Sequence, residues 1–201
     1  MKEALSEKTV SQNPFLQFDK WYREHLAANV EIPESVFLGT ASADGKVSVR
    51  TVLLKDHGET GFTFYTNYNS KKGVQIGKNN KVALLFYWPE SKRQVRIEGS
   101  AEKVAPAISD AYFATRPRDS QLGAWASDQS SGIPDRDCLE EKFTHYKSVY
   151  SGFPIPRPDH WGGYRIIPEW FEFWEDRENR LHDRITYTRK GDYWIIARLA
   201  P

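Results

Sequence analysis

The sequence predicts a mainly β protein with flanking helices, its strands forming a closed or nearly closed antiparallel barrel. Short runs of alternating apolar and polar residues recur along the chain. Several are joined by turns of hairpin length, among them Ala43-Asp-Gly45-Lys46 and Pro89-Glu-Ser-Lys92. Three helical stretches sit together between two groups of strands, as helices packed outside a barrel would.

Residues 1–12 are polar and are expected to form a flexible arm, with residues 13–201 as a single domain large enough to bury a core. Asn13-Pro14 supplies a cap and a first-turn proline. Phe15, Phe18, Tyr22 and Leu26 then recur at helical spacing, so a helix should run to about Ala28. Residues 35–42 and 47–55 pair across the first turn. Residues 61–67 alternate again, and Ser70 can cap a short helix from Lys71. Residues 81–88 and 93–104 make the second hairpin.

The helical middle comprises 105–115, ended by Arg116-Pro117, then 120–127 capped by Ser120, then 138–150. After the stiff connector Pro154 to Pro158, strands are expected at 164–167, 170–174, 180–188 and 193–199. In this last part Trp170, Glu172 and Trp174 share one face and Phe171 and Phe173 the other. After a polar turn from Glu175 to Asn179, alternation puts Arg180, His182 and Arg184 in one file.

A formal net charge of +1 excludes a general polyanion binder, so a basic site must be a local concentration of charge. The same balance argues against single-stranded nucleic acid as a partner. Cys138 is the single cysteine, which excludes an internal disulfide framework and fits a reducing compartment. The N-terminus has no apolar core of a signal peptide, and no run approaches membrane-spanning length. A cytoplasmic protein without membrane or nucleic-acid partner is expected. The five histidines lack metal-ligand spacing, so no metal is expected. Phosphate-loop, dinucleotide and nucleophile-elbow motifs are missing.

Three places could hold an anion. Two guanidiniums and an imidazole in the 180–184 file would repel one another if buried without one; the alternative is an exposed edge strand whose charges discourage aggregation. Tyr65-Thr66-Asn67 followed by Ser70-Lys71-Lys72 offers hydroxyls, ammonium groups and a helix N-terminus; the alternative is a solvated helix end. Tyr112 and Arg116 share a helix face beside Ser120; the alternative is an ordinary corner with a surface arginine. Arg50 and Lys55, five apart, should point to opposite faces and serve different groups unless a bulge intervenes.

These segments, in order from about residue 35 to the end, resemble the pyridoxine/pyridoxamine 5′-phosphate oxidase family. The matching motifs are Arg50-Thr-Val-Leu-Leu-Lys55, Phe64 to Gly73, Arg93 to Gly99, Tyr112 to Ser127 and Gln129-Ser-Ser131. They continue with Trp161-Gly-Gly, Glu172-Phe-Trp174, Arg180-Leu-His-Asp-Arg184 and Arg198-Leu-Ala-Pro201. The resemblance implies a split β-barrel of Greek-key antiparallel type that binds FMN, in an obligate homodimer with two shared sites at the subunit interface.

It implies that Arg50, Tyr65, Thr66, Lys71 and Lys72 hold FMN, that Gln94, Trp174 and Arg184 lie around its ring, and that Gln129 and Ser130 come from the neighbouring subunit. Lys55, Tyr112, Arg116 and Ser120 would take the substrate phosphate. Arg180 and His182 would be the catalytic pair, positioning the pyridine ring. The implied reaction is hydride transfer from C4′ of pyridoxine or pyridoxamine 5′-phosphate to flavin N5. Reoxidation by O2 would then give H2O2 and pyridoxal 5′-phosphate.

Lys71 stands where the family commonly has arginine, and the N-terminal arm lacks the basic-aromatic segment some members carry. The alternatives are a related flavin oxidase of phenazine-type biosynthesis, whose members lack the complete phosphate pocket, and a non-catalytic FMN- or pyridoxal-phosphate-binding protein.

Overall fold

The computed structural model describes residues 4–28 and 30–201. Helix α1 (Pro14–Leu26) leads into β1 (Ser35–Ala41), β2 (Val47–Leu53), β3 (Asp56–Gly58) and β4 (Gly61–Asn67). Helix α2 (Lys71–Lys78) precedes the hairpin of β5 (Lys81–Trp88) and β6 (Arg93–Lys103). Then come α3 (Pro106–Thr115), α4 (Arg118–Ala126) and α5 (Asp137–Val149), followed by β7 (Trp161–Glu175), β8 (Asp183–Lys190) and β9 (Tyr193–Arg198).

The strands form one antiparallel sheet in the order β2-β1-β5-β6-β7-β4-β3, with β8 and β9 continuing from β7. Strand β7 organises it. One edge of β7 pairs with β6, while its other edge pairs first with β4 and then with β8. The two short strands expected at 164–167 and 170–174 are therefore one long strand. The β6–β7 register shifts between Glu98 and Gly99, beside Pro168, which has no N–H for the ladder. A Cβ on Gly99 would overlap the Ile167 carbonyl oxygen, so only glycine fits this bulge. The sheet curls until the Lys55 N–H, just past β2, donates to the Thr63 carbonyl of β4 at 2.8 Å. The barrel is nearly closed at that point.

Inside the curl lies an aromatic core. Asn13 caps α1 by accepting from the Phe15 N–H at 2.9 Å. The helix then sets Phe18 edge-on against Phe62 and near Phe86, with ring centroids 4.8 and 4.9 Å apart. Its buried face is Gln17, Phe18, Trp21, Tyr22 and His25, whereas Leu26, expected on that face, is exposed. Phe171 and Phe173 are fully buried in the same core. A smaller apolar cluster of Phe113, Leu122, Ile155 and Trp161 holds the α3–α4 corner against β7.

Three expectations need correction. Residues 4–12 are not loose: Leu5 and Val10 are only 6% and 7% exposed, within the main core. The Tyr187 hydroxyl donates to Ser11 O at 2.7 Å and Arg198 Nη2 to Leu5 O at 2.8 Å, tying the segment to β8 and β9; residues 1–3 lie outside the described residues. Helix α4 begins at Arg118 behind Pro117, which places Ser120 inside its first turn and not at a cap. The strand expected from Arg180 begins at Asp183. Asn179 and Arg180 both take left-handed backbone angles, φ 56° and 59°, which end the alternation that would have put Arg180, His182 and Arg184 in one file.

Candidate active site

A cavity of about 730 Å³ opens between the end of β2, the end of β4, the first turn of α2 and the α3–α4 corner. That volume suits a small-molecule ligand. Arg50, Lys55, Lys72 and Arg116 line it, and no carboxylate does. Three of them, the buried Lys72 and the half-buried Arg50 and Arg116, have no acidic partner among the described residues, and such a concentration of cations calls for an anion.

Lys72 is placed by local sequence. The Ser70 hydroxyl accepts from the Gly73 N–H at 3.3 Å and starts α2. Lys72 then turns inward, where its ammonium donates to Thr66 Oγ1 at 3.1 Å, Gln129 Oε1 at 3.3 Å and Ser70 Oγ at 3.4 Å. All three partners are neutral. Burial first, and the Arg50 charge second, push its pKa down to about 8. Arg50 reaches the cavity from β2, where burial lowers its pKa from the ordinary arginine range. It stays charged.

A second group surrounds Arg116. Tyr65, Tyr112 and Trp161 form a stack, with Tyr65 and Tyr112 centroids 3.9 Å apart and 13° from parallel. The Arg116 guanidinium lies 4.6 Å from the Trp161 ring centroid. Its Nη1 is buried without a hydrogen-bond partner, an arrangement a ligand oxygen would complete. Ser120 and Lys55 line the same cavity, and the Lys55 ammonium is 3.1 Å from Glu34 Oε1. Arg50 and Lys55 share one cavity despite their odd spacing. The chain leaves β2 at Leu53 and bends through Leu54 and Lys55, whose N–H groups bond to Glu34 O and Thr63 O. Strict alternation therefore does not reach Lys55.

The cavity thus collects Arg50, Lys55, Tyr65, Thr66, Lys72, Tyr112, Arg116, Ser120 and Gln129. Gln129, expected from a neighbouring subunit, reaches Thr66 and Lys72 of its own chain, because the segment after α4 folds back over the end of β4. Lys71 and Ser130 line a separate surface depression, since successive helix positions point about 100° apart.

Gln94, Trp174 and Arg184 lie side by side across β6, β7 and β8, on the face away from the core, and none lines the cavity. Arg180 is exposed on the 176–182 loop, and the His182 ring packs against Trp174 with centroids 4.7 Å apart and planes tilted by 44°. His182 Nδ1 accepts from the Arg177 N–H at 3.2 Å and lies 3.1 Å from Asp176 Oδ1. In the single chain neither Arg180 nor His182 touches the cavity.

Sequence reasoning gave no role to Thr40, Gln75 or Glu172. Each left a signal: Thr40 follows Val36 and Leu38 at inward positions of β1, Gln75 falls beside Ile76 on the buried side of α2, and Glu172 lies between two tryptophans of β7. A polar residue whose neighbours on the same face are apolar marks a buried hydrogen-bond partner. Among the described residues no cluster of His, Cys, Asp or Glu could hold a metal ion, and no helix is long and apolar enough to cross a membrane.

Comparison with known proteins gives a concordant result. Residues 22–150 match the family described as Pyridoxamine 5′-phosphate oxidase, and residues 161–201 match the Pyridoxine 5′-phosphate oxidase C-terminal dimerisation region. The chain is 50% identical over 200 residues to a pyridoxine/pyridoxamine 5′-phosphate oxidase of a Nostoc species, covering 99% of this chain and 94% of that one. It is also 50% identical over 200 residues to the Rubrobacter xylanophilus protein of that name, covering 100% and 92%. Among solved structures it is similar to PhzG of Burkholderia lata, crystallised with tetrahydrophenazine-1-carboxylic acid. That similarity has a TM-score of 0.92 at 28% identity, covering 99% and 98% of the two chains. The chain belongs to the pyridoxamine 5′-phosphate oxidase family.

Proposed function

We propose that this protein oxidises pyridoxine 5′-phosphate and pyridoxamine 5′-phosphate to pyridoxal 5′-phosphate, with FMN as cofactor and O2 as acceptor. One observation carries the reading: a single cavity holds two separate groups of cations and aromatic rings, with no carboxylate in its lining. Two phosphorylated aromatic molecules need that arrangement.

The residues fit FMN. Lys72 is buried and Arg50 half-buried, neither with an acidic partner among the described residues, and Thr66 and the start of α2 add hydroxyl and backbone donors. They would hold the FMN phosphate and ribityl chain with Tyr65 and Gln129, and Lys71 and Ser130 would approach from the outer side of α2. When bound, FMN supplies the hydride acceptor and the route of electrons to oxygen.

The chain's own residues bind and orient the substrate. Arg116, with its free Nη1, Tyr112, Ser120 and Lys55 would grip the substrate phosphate. Trp161 backs Arg116 and keeps its guanidinium flat. The row Gln94, Trp174 and Arg184, with Arg180 and His182, lies outside the chain's own cavity. In this reading a homodimer completes each site: the row of one copy covers the cavity of the other. The match of residues 161–201 to a dimerisation region supports it. His182 uses Nδ1 for its two intrachain contacts, so Nε2 remains for the substrate. Arg180 and His182 act by placing the substrate ring, and their loss slows the reaction through misplacement.

The test is direct. The purified protein should show a flavin spectrum and consume oxygen with both phosphorylated vitamers. A colourless protein that cannot be loaded with FMN would overturn the reading. Bound FMN without oxygen uptake would leave a carrier.

A further inference from the structure

The guanidinium of Arg50 is held from behind by a buried relay that ends on α2. Arg50 Nη1 donates to the Leu38 carbonyl at 3.0 Å and to Thr40 Oγ1 at 2.7 Å. The Thr40 hydroxyl in turn donates to Gln75 Oε1 at 2.6 Å. Gln75 Nε2 completes the relay towards the Lys46 carbonyl and Ser48 Oγ, each 3.4 Å away. Thr40 and Gln75 are both buried, and neither lines the cavity.

Gln75 lies three residues beyond Lys72 on the same helix, so the relay connects the strand carrying one cation to the helix carrying the other. The physical need is clear. Arg50 and Lys72 repel one another before an anion arrives, and a long side chain projecting from β2 has many rotamers in which to escape. Two neutral groups that accept and pass on a hydrogen bond remove that freedom without neutralising the charge. A carboxylate in their place would fix Arg50 equally well but would cancel the field an anion needs.

We infer that Thr40 and Gln75 are positioning residues that hold Arg50 beside Lys72 and so give the cavity its preference for a phosphorylated flavin over an unphosphorylated one. This rests on the reading that Arg50 meets the FMN phosphate.

The test uses the full-length chain freed of flavin and titrated with FMN and with riboflavin, which lacks the phosphate. Thr40→Val and Gln75→Met should each raise the FMN dissociation constant about tenfold, the size expected for one hydrogen bond to a charged group. Riboflavin affinity and the thermal midpoint should stay close to those of the unmodified chain, and Thr40→Ser, which keeps the hydroxyl, should restore FMN affinity. In an Arg50→Ala background Thr40→Val should cost nothing more, because the relay has nothing left to hold. Equal weakening of FMN and riboflavin, or no weakening of either, would overturn the inference. If Arg50→Ala itself left the FMN-to-riboflavin ratio unchanged, the assignment of Arg50 would fail first, and the two failures are thus told apart. Gln75→Met reads the relay from its far end, so a Thr40→Val chain that did not fold would leave the test intact.

Discussion

Arg184 grips Glu172 through two parallel hydrogen bonds, Nε to Oε1 at 2.9 Å and Nη2 to Oε2 at 3.0 Å, between adjacent strands β8 and β7. Glu172 is only 3% exposed, and Arg96 reaches the same carboxylate from β6 at 3.1 Å. The third arm of Arg184, Nη1, donates to the Ala200 carbonyl at 2.9 Å, so the C-terminal tail also fixes its direction. Glu172→Ala would leave two guanidiniums beside a void. We expect it to lower unfolding free energy by about 3 kcal/mol, read from denaturant midpoints at constant slope. An unshifted midpoint would show that the carboxylate contributes nothing.

Arg116→Ala should raise KM for either phosphorylated vitamer by roughly 10- to 100-fold, the range for losing a hydrogen bond to a charged oxygen. FMN should stay bound, since Arg116 belongs to the Trp161 group and not to the Lys72 group. Steady-state kinetics beside the flavin absorbance measures both. Loss of flavin with unchanged KM would exchange the two roles.

FMN affinity should depend on pH through Lys72. Its pKa in the flavin-free chain is pushed down to about 8, and a bound phosphate would raise it again. Because binding favours the charged form, affinity is full below about pH 8 and falls as pH rises from there towards the pKa of the complex. Titrations between pH 7 and 10 measure the slope, and Lys72→Arg, which stays charged, should abolish that decline. A flat profile in the unmodified protein would exclude Lys72 from the phosphate site.

The Leu5→Ala and Val10→Ala variants should each cost about 1–2 kcal/mol of stability, towards the low end for buried apolar residues because the segment near a chain end can relax. Thermal unfolding monitors this. No change would show that residues 4–12 are as loose as their polarity suggests.

Arg180→Ala should leave stability within about 0.5 kcal/mol, as for an exposed side chain, yet lower kcat/KM at least tenfold, a loss attributable to misplaced substrate. Comparing unfolding with kinetics separates the two. Full activity would remove the 176–182 loop from the site.

Where function hangs on short segments, the sequence was already informative. Alternation put Phe171 and Phe173 on one face and Trp170, Glu172 and Trp174 on the other, and the structure turns the phenylalanine face into the core. The Ser70 cap follows from the local sequence, whereas which of Lys71 and Lys72 turns inward was settled by the fold. Tyr112 and Arg116 share a cavity, as their four-residue spacing suggested, although Arg116 stands just past the last turn of α3 with extended backbone. Alternation failed at Lys55, where β2 has already ended, and at Arg180, where two left-handed residues intervene.

The amino-acid order by itself determined which stretches are strands and helices, and which side chains could meet a phosphate, because those properties repeat over two to four residues. Only the tertiary structure decided that Arg50, Lys72, Arg116 and Gln129 stand round one cavity while Lys71, Arg180 and Arg184 lie elsewhere on the chain. The reason is the curl of the sheet: it brings the chain just past β2 onto β4, where the Lys55 N–H meets the Thr63 carbonyl, and no local pattern records the distance that bond closes.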